Sequence, residues 1–166
     1  MILKQIRVEA SKDITTNSYI ISNENESMVI DPGGEPDKII EILEAIKTKP
    51  KYILLTHCHA DHIGGVKNIK EKYNSKVLIS RIDSTGVNEQ TRNLAPFIGI
   101  GIPEVEVDSR LDDGDLIHIG NLEFKIISTP GHTNGGISVY CEQEKLLFSG
   151  DTLFAGACRK NRFANK

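Results

Sequence analysis

Several features that would assign this chain to a specialised class are scarce or absent. It has no Trp and only 5% aromatic residues, which argues against binding single-stranded nucleic acid by base stacking. The 20 basic and 23 acidic residues give a net charge of −3, so there is no basic field for a nucleic acid partner. The longest apolar runs are about four residues, too short to span a membrane. The N-terminus also lacks the apolar run and cleavage site of a signal peptide.

The cysteines do not indicate a disulfide-stabilised fold. Cys58, Cys141 and Cys158 are odd in number and unclustered, so no disulfide network is predicted and a reducing cytoplasm is the expected location. The length of 166 residues fits one domain of roughly 150 residues.

Hydrophobic spacing predicts one α/β unit that is rich in hairpins. Helical spacing runs from Pro36 towards Pro50 and again over residues 61–73. Residues 81–103 are difficult to interpret, with a short helix expected around 84–93. Extended, β-branched segments are predicted as strands at residues 2–8, 18–22, 27–31, 52–55, 77–79, 116–119, 122–127, 137–141 and 145–149.

Three of the five histidines lie within six residues, directly after the predicted strand 52–55. His57 and His59 are two positions apart, so they point the same way in extended chain. Asp61 and His62 follow where a helix begins and can turn towards the same cavity. Solvated histidines in a polar loop are the alternative, but crowded imidazoles repel one another once protonated and need a metal. Imidazole and carboxylate together suit zinc, and also iron or manganese.

Two further strand ends carry a metal-ligand type of residue. His132 follows the strand 122–127 and Asp151 follows the strand 145–149. Taken alone, each is typical of a turn or a helix cap. Together with the histidine motif they supply six donors, enough for two metal ions about 3.5–4 Å apart.

These motifs resemble the metallo-β-lactamase superfamily, and most of all its glyoxalase II (hydroxyacylglutathione hydrolase) branch of small bacterial proteins. The resemblance extends to about Gly156 and implies an αββα four-layer sandwich with the metals at one edge of its sheets. The matching segments are Thr16-Asn17-Ser18-Tyr19, Val29-Ile30-Asp31-Pro32-Gly33-Gly34 and residues 57–62, 129–133 and 149–154.

The resemblance also implies a role for each candidate residue. Asp61 would orient the nucleophile, and Asp31 would steady the histidine loop. Cys58 should point away from the site, and His118 matches no ligand of the family. The implied ligands are His57, His59 and His132 for the first metal, Asp61 and His62 for the second, and Asp151 as a bridge between them.

The implied activity is zinc-dependent hydrolysis of a small thioester or ester, with metal-bound hydroxide as the nucleophile. A small-molecule substrate is the expected partner, rather than a nucleic acid or a membrane. His62 disfavours the β-lactamase types that carry another residue there, and His59 disfavours the flavin-linked di-iron reductases, which carry Glu. A lactone, a sulfur-containing substrate or a phosphodiester remains an alternative.

The resemblance implies one domain at residues 1–156, and the C-terminal residues 157–166 form an atypical tail that departs from it. After Gly156, relatives generally continue through Gly-Arg-Thr-Asp-Leu to a later His that completes the second metal site. Codons can be chosen for residues 159–164 that, after deletion of one nucleotide, encode Gly-Arg-Thr-Asp-Leu. We therefore expect that the tail is translated out of frame, which resequencing of the gene would reveal. The expected consequences are a fold without its last strand and helix, an incomplete second site and marginal stability. A catalytically impaired fragment that binds at most one metal is therefore the alternative function.

Overall fold

A computed structural model describes residues 1–101, 104–154 and 156–158. The predicted out-of-frame tail, from about Arg159 to the end of the sequence, lies outside these residues. The strands are β1 (Ile2–Ser11), β2 (Ile14–Asn23), β3 (Glu26–Ile30), β4 (Pro50–Leu55), β5 (Lys76–Ser80), β6 (Ser109–Leu111), β7 (Leu116–Ile119), β8 (Leu122–Ser128), β9 (Ile137–Cys141), β10 (Leu146–Phe148), β11 (Leu153–Phe154) and β12 (Ala157–Cys158). The helices are α1 (Pro36–Ala45), α2 (Ala60–Ile63), α3 (Val66–Tyr73), α4 (Gln90–Asn93) and α5 (Ala95–Ile98), with a 3₁₀ turn at Asp83–Thr85.

Two main sheets carry the fold. The larger has six strands in sequence order, β1 to β6, and the smaller has four in the order β10-β9-β8-β7. In the larger sheet β1, β2 and β3 are antiparallel, whereas β3 to β6 run parallel. Helix α1 connects β3 to β4, and α2 and α3 connect β4 to β5. The parallel strands therefore present their carboxyl ends at one edge, where side chains from separate loops meet. In the described part of the chain, no helix is long and apolar enough to cross a membrane.

The two sheets and the helices enclose two hydrophobic cores. One core lies between the six-stranded sheet and the helices, with Ile53 from β4 and Ile69 from α3 among its members. The other lies between the two sheets and is centred on Phe124 of β8. On the outer face of the four-stranded sheet, Leu116 and Leu147 stay 49% and 48% exposed. The described residues thus form three layers, helix on sheet on sheet, of the predicted metallo-β-lactamase-type sandwich.

The single helix predicted over residues 61–73 is wrong, because the structure divides it into α2 and α3 at Gly64 and Gly65. The backbone N–H of Gly65 donates a 2.7 Å hydrogen bond to the carbonyl of Pro32. A Cβ on Gly64 would lie 2.3 Å from the carbonyl oxygen of Gly33, closer than such atoms approach. The break therefore brings the start of α3 against the turn after β3.

One other prediction needs correction, and one strand was missed. The helix expected around residues 84–93 is instead the 3₁₀ turn at Asp83–Thr85 followed by the four-residue α4. The strand β6, which pairs parallel to β5, was not predicted.

Candidate metal centre

The six predicted donor residues come from three loops at one edge of the sheets. His57 and His59 follow β4, Asp61 and His62 lie in the short helix α2, His132 follows β8, and Asp151 follows β10. A backbone hydrogen bond of 2.9 Å from Ile137 N–H to the Thr56 carbonyl joins the first two of these loops. Within the described residues, two groups have donor atoms within 4.8 Å of one another: His57, His59 and His132, and His57, His62 and Asp151.

The first group consists only of imidazoles. Nε2 of His57 and Nδ1 of His59 are 3.1 Å apart. The His132 ring lies 4.8 Å from the His57 ring and 4.5 Å from the His59 ring, centroid to centroid and nearly perpendicular to both. His57 is 2% exposed and His59 9%. Three nearly buried nitrogen ligands therefore converge on one small volume.

The second group is connected to the first by a carboxylate. Oδ1 of Asp151 lies 3.4 Å from Nε2 of His62, and Oδ2 of the same residue lies 3.4 Å from Nε2 of His132. Oδ2 of Asp61 is 3.6 Å from Nε2 of His62. Because its two oxygens face histidines of different groups, Asp151 has the position of a bridge.

These separations fit a bound metal ion. Two donors on a tetrahedral zinc ion, with bonds of about 2.0–2.1 Å, stand about 3.3–3.4 Å apart. The donor atoms here are separated by 3.1 Å between His57 and His59, 3.4 Å between His62 and Asp151, and 3.6 Å between His62 and Asp61. The donor set is imidazole and carboxylate, which zinc, iron and manganese all accept. The residues present therefore fit such an ion.

Asp31 and Thr56 orient two of the histidines. Asp31 is buried and accepts hydrogen bonds from Thr56 N–H at 2.8 Å, from the Thr56 hydroxyl at 2.7 Å and from Nδ1–H of His62 at 2.9 Å. Since the Thr56 hydroxyl donates its only proton to Asp31, it accepts from Nδ1–H of His57 at 3.0 Å. Both histidines thus carry a proton on Nδ1, so that each, in its neutral form, turns the Nε2 lone pair towards the site.

The same environment moves the pKa values of two histidines in opposite directions. Burial, reinforced by the positive charge of His132, lowers the pKa of His59 to about 4, so His59 is neutral near neutral pH. Burial also lowers the pKa of His62, but the charge of Asp31 and the hydrogen bonds to Asp151 and Asp31 outweigh it and raise that pKa to about 10. In the absence of a metal, His62 is therefore held as a cation among carboxylates.

The structure also places the residues not expected to bind metal. Cys58 is buried in the core beneath the helices, where burial and the charge of Asp83 raise its thiol pKa to about 12. His118 lies on β7, is mostly exposed, and faces Glu123 with 3.4 Å between Nε2 and Oε2.

Two residues near the site were missed from the sequence, Thr56 and Asp83. Thr56 immediately precedes the histidine motif, and Asp83 follows the end of β5, so the search for polar residues at strand ends could have found both. Asp83 is fully buried and contacts both histidine-bearing loops.

An open cavity of about 490 Å³ lies beside the second group and includes Asp61, His62 and Asp151 in its wall. Its remaining wall combines polar and apolar side chains. The polar ones include Asp13, Thr15, Thr16, Asn17 and Tyr19, and the apolar ones are Ile14, Leu147, Leu153 and Phe154. The cavity is large enough for a small organic substrate.

Comparison with known proteins agrees with this geometry. The family model of the metallo-beta-lactamase superfamily matches residues 12–164. A probable metallo-hydrolase of Bacillus subtilis, YqgX, is 31% identical over 144 residues, which are 86% of this chain and 68% of the relative. A hydroxyacylglutathione hydrolase of Klebsiella pneumoniae is 35% identical over 140 residues, 84% of this chain, but the match spans only 48% of that longer protein.

Solved structures agree as well. The BLEG-1 B3 metallo-beta-lactamase aligns with a TM-score of 0.85 and 31% identity, covering 96% of this chain and 76% of that one. TTHA1623, crystallised in a di-iron-bound form, aligns with a TM-score of 0.81 and 27% identity, covering 97% of this chain and 78% of that one. The chain therefore belongs to the metallo-β-lactamase superfamily.

Proposed function

We propose that this chain is a metal-dependent hydrolase of a small thioester or ester. The observation that carries the proposal is the position of Asp151, whose two oxygens each lie 3.4 Å from a histidine of a different donor group. Metal ions held there would lower the pKa of a coordinated water from 15.7 towards roughly 7 and polarise the carbonyl to be attacked. No Ser or Cys nucleophile is then needed, in agreement with the buried, high-pKa thiol of Cys58.

Each candidate residue has a proposed role in this reaction. His57, His59 and His132 would hold the first ion, and Asp61 and His62 the second, with Asp151 shared. Asp61 accepts a 3.4 Å hydrogen bond from the Thr16 hydroxyl and lines the cavity. Its carboxylate is thus directed at the point where substrate and water meet, so we assign to Asp61 the orientation of the attacking water and the acceptance of its proton.

The cavity supports a substrate with a polar and an apolar part. The carbonyl would lie near Asp61 and Asp151, while Leu147, Leu153 and Phe154 would contact an apolar portion. Similarity to hydroxyacylglutathione hydrolases favours a thioester among these substrates. A lactone or phosphodiester is the alternative within the same chemistry, and the similarity to a B3 metallo-beta-lactamase adds a β-lactam to the compounds worth testing.

We propose zinc as the resident metal, since three imidazoles and one carboxylate make a donor set that zinc prefers. Iron is the alternative because the structural relative TTHA1623 was crystallised with two iron ions, and manganese is a third candidate. We also propose that the protein acts in the cytoplasm on a small molecule.

The proposal is tested by metal analysis and a substrate panel. Protein loaded with Zn²⁺, Fe²⁺ or Mn²⁺ would be assayed on a glutathione thioester, p-nitrophenyl acetate, a lactone, bis-p-nitrophenyl phosphate and a chromogenic β-lactam. We expect thioester or ester turnover that chelation abolishes and that His132→Ala lowers by at least about 100-fold. His118→Ala is the matched control, because that histidine faces Glu123 outside the centre, and it should retain full activity.

Two results would contradict the proposal. Bound metal with no turnover of any substrate would support the alternative of a metal-binding fragment without catalysis. Turnover that survives both chelation and His132→Ala would show that the hydrolysis does not depend on this centre.

A further inference from the structure

Asp83 is a fully buried carboxylate that lies between the two loops carrying the histidines of the first donor group. It begins the 3₁₀ turn after β5 and is not one of the proposed metal ligands. Its backbone N–H donates a 3.1 Å hydrogen bond to the Ser80 hydroxyl. That bond joins the start of the turn to the end of β5 and so fixes the backbone from which the Asp83 side chain extends.

The carboxylate contacts both loops directly. Oδ2 accepts a 3.2 Å hydrogen bond from the backbone N–H of Cys58, the residue between His57 and His59. The same oxygen accepts a 2.7 Å hydrogen bond from the hydroxyl of Thr133, which is adjacent to His132. One atom of Asp83 therefore joins the two segments whose imidazoles must meet around one metal ion.

The second oxygen makes the same connection from the other side. Oδ1 of Asp83 accepts a 3.0 Å hydrogen bond from the backbone N–H of Gly135. A Cβ on Gly135 would lie 2.6 Å from that oxygen, so the loop approaches the carboxylate as closely as it does only because position 135 has no side chain. The close contact with the Asp83 carboxylate therefore requires glycine at position 135.

A buried carboxylate is unfavourable unless its charge and lone pairs are compensated. Here the Asp83 carboxylate accepts three hydrogen bonds and also forms an ion pair with Arg92, whose Nη2 lies 3.7 Å from Oδ1 of Asp83. Arg92 is itself held by hydrogen bonds to the Ile82 carbonyl and the Thr85 hydroxyl. The arrangement supplies enough partners to fix the Asp83 carboxylate in place.

From this geometry we infer that Asp83 is a positioning residue that sets the separation of the His57–His59 loop from His132 and thereby the metal affinity of the first donor group. The inference rests on the proposed function in that it assumes a metal in this centre. Asp83 touches no substrate and acts only through the loops. Replacing it should therefore change metal affinity and ligand geometry more than it changes folding.

The test measures Zn²⁺ affinity by competition with a chelator, together with the visible spectrum of the Co²⁺-substituted protein and thermal unfolding without metal. In Asp83→Asn one acceptor oxygen becomes a donor that faces other donors. We expect a loss of about 10–100-fold in first-site affinity, the range for residues that orient metal ligands, and an altered Co²⁺ spectrum. Thr133→Val removes a single hydrogen bond and should lose affinity in the same direction, while Thr133→Ser, which keeps the hydroxyl, should restore it.

Asn93→Ala is the matched control. Asn93 is also fully buried and hydrogen-bonded to backbone, through Nδ2 to the Val87 carbonyl and through Oδ1 to Ala95 N–H, but none of these partners belongs to a histidine loop. It should lose thermal stability with unchanged Zn²⁺ affinity. If Asp83→Asn and Thr133→Val behave as Asn93→Ala does, Asp83 is only structural and the inference is overturned.

The outcomes also separate this inference from the proposed function. Wild-type protein that binds Zn²⁺ but hydrolyses nothing would contradict the hydrolase and leave the affinity comparison decisive for Asp83. Wild-type protein that hydrolyses its substrate, with unaltered Zn²⁺ affinity and spectrum in both variants, would contradict only the role of Asp83. Absence of Zn²⁺ binding by the wild type would overturn both.

Discussion

Replacement of Asp31 by Asn should separate metal binding from folding. The variant keeps the size of the side chain and one oxygen, which still accepts from Thr56 N–H. The new amide nitrogen replaces Oδ2, the atom that accepts from the Thr56 hydroxyl and from Nδ1–H of His62. To accept from this donor, His62 must lose the proton on Nδ1 and keep the one on Nε2, the atom that faces Asp61 and Asp151. A protonated Nε2 has no lone pair for a metal.

The size of each effect follows from these contacts. Loss of a correctly oriented histidine should weaken the second metal site by about 10–100-fold. Asp31→Asn should also lose a charge-assisted hydrogen bond, about 1.5–3 kcal/mol of unfolding free energy. Asp31→Ala leaves the buried N–H of Thr56 and the buried Nδ1–H of His62 without an acceptor, and should cost about 3–5 kcal/mol.

Denaturant unfolding of the metal-free protein and competitive Zn²⁺ titration measure the two quantities independently. Asp112→Asn, which alters an exposed carboxylate paired with Arg81, is the control and should leave Zn²⁺ affinity unchanged. Wild-type affinity at both metal sites in Asp31→Asn would refute the reasoning, because the proton on His62 would then not be set by residue 31.

Three further predictions concern other parts of the centre. Gly33→Ala should destabilise the fold by about 3 kcal/mol in a thermal melt, since its Cβ would lie 1.7 Å from a backbone oxygen, whereas Gly101→Ala, with nothing within 4 Å, should be neutral. Calorimetry in buffers of different ionisation enthalpy should find about one proton released when the second metal binds, because the pKa of His62 is raised to about 10. Second-site affinity should therefore rise with pH up to that value, and loading of the first site should release no proton from His59, whose pKa is lowered to about 4. Iodoacetamide followed by mass spectrometry should leave Cys58 unmodified in the native protein and modify it after denaturation, because burial raises its pKa to about 12; labelling of native Cys58 would contradict its burial.

Local sequence was sufficient for the features that depend on neighbouring residues. The spacing of His57, His59, Asp61 and His62 after an apolar strand predicted a donor cluster, and the positions of His132 and Asp151 directly after predicted strands indicated that they would join it. The hairpin of β7 and β8 was likewise predicted from the turn at Gly120. The assignment of each donor to a particular metal stays a prediction.

Features that depend on distant residues were not accessible. The break between α2 and α3 arises from contact with Pro32 and Gly33, about thirty positions earlier. The strand β6 has three residues without a clear alternation and exists because β5 offers it an edge. Asp83 lies in the segment that sequence patterns left unassigned, and the histidine-loop residues that its carboxylate contacts are 25 to 52 positions away in the chain.

The turn at Gly33 packs closely against the backbone of Asp61, and this contact should tolerate substitution far less than another part of the molecule does. Where main chain meets main chain, no side chain can be exchanged to adjust the fit, so substitutions at that contact should destabilise the fold whatever the substrate. The apolar wall of the cavity comes from β10 and β11, which take no part in that contact. Random mutagenesis restricted to Leu147, Leu153 and Phe154 should therefore yield folded variants with new preferences far more often than mutagenesis of the glycine turn.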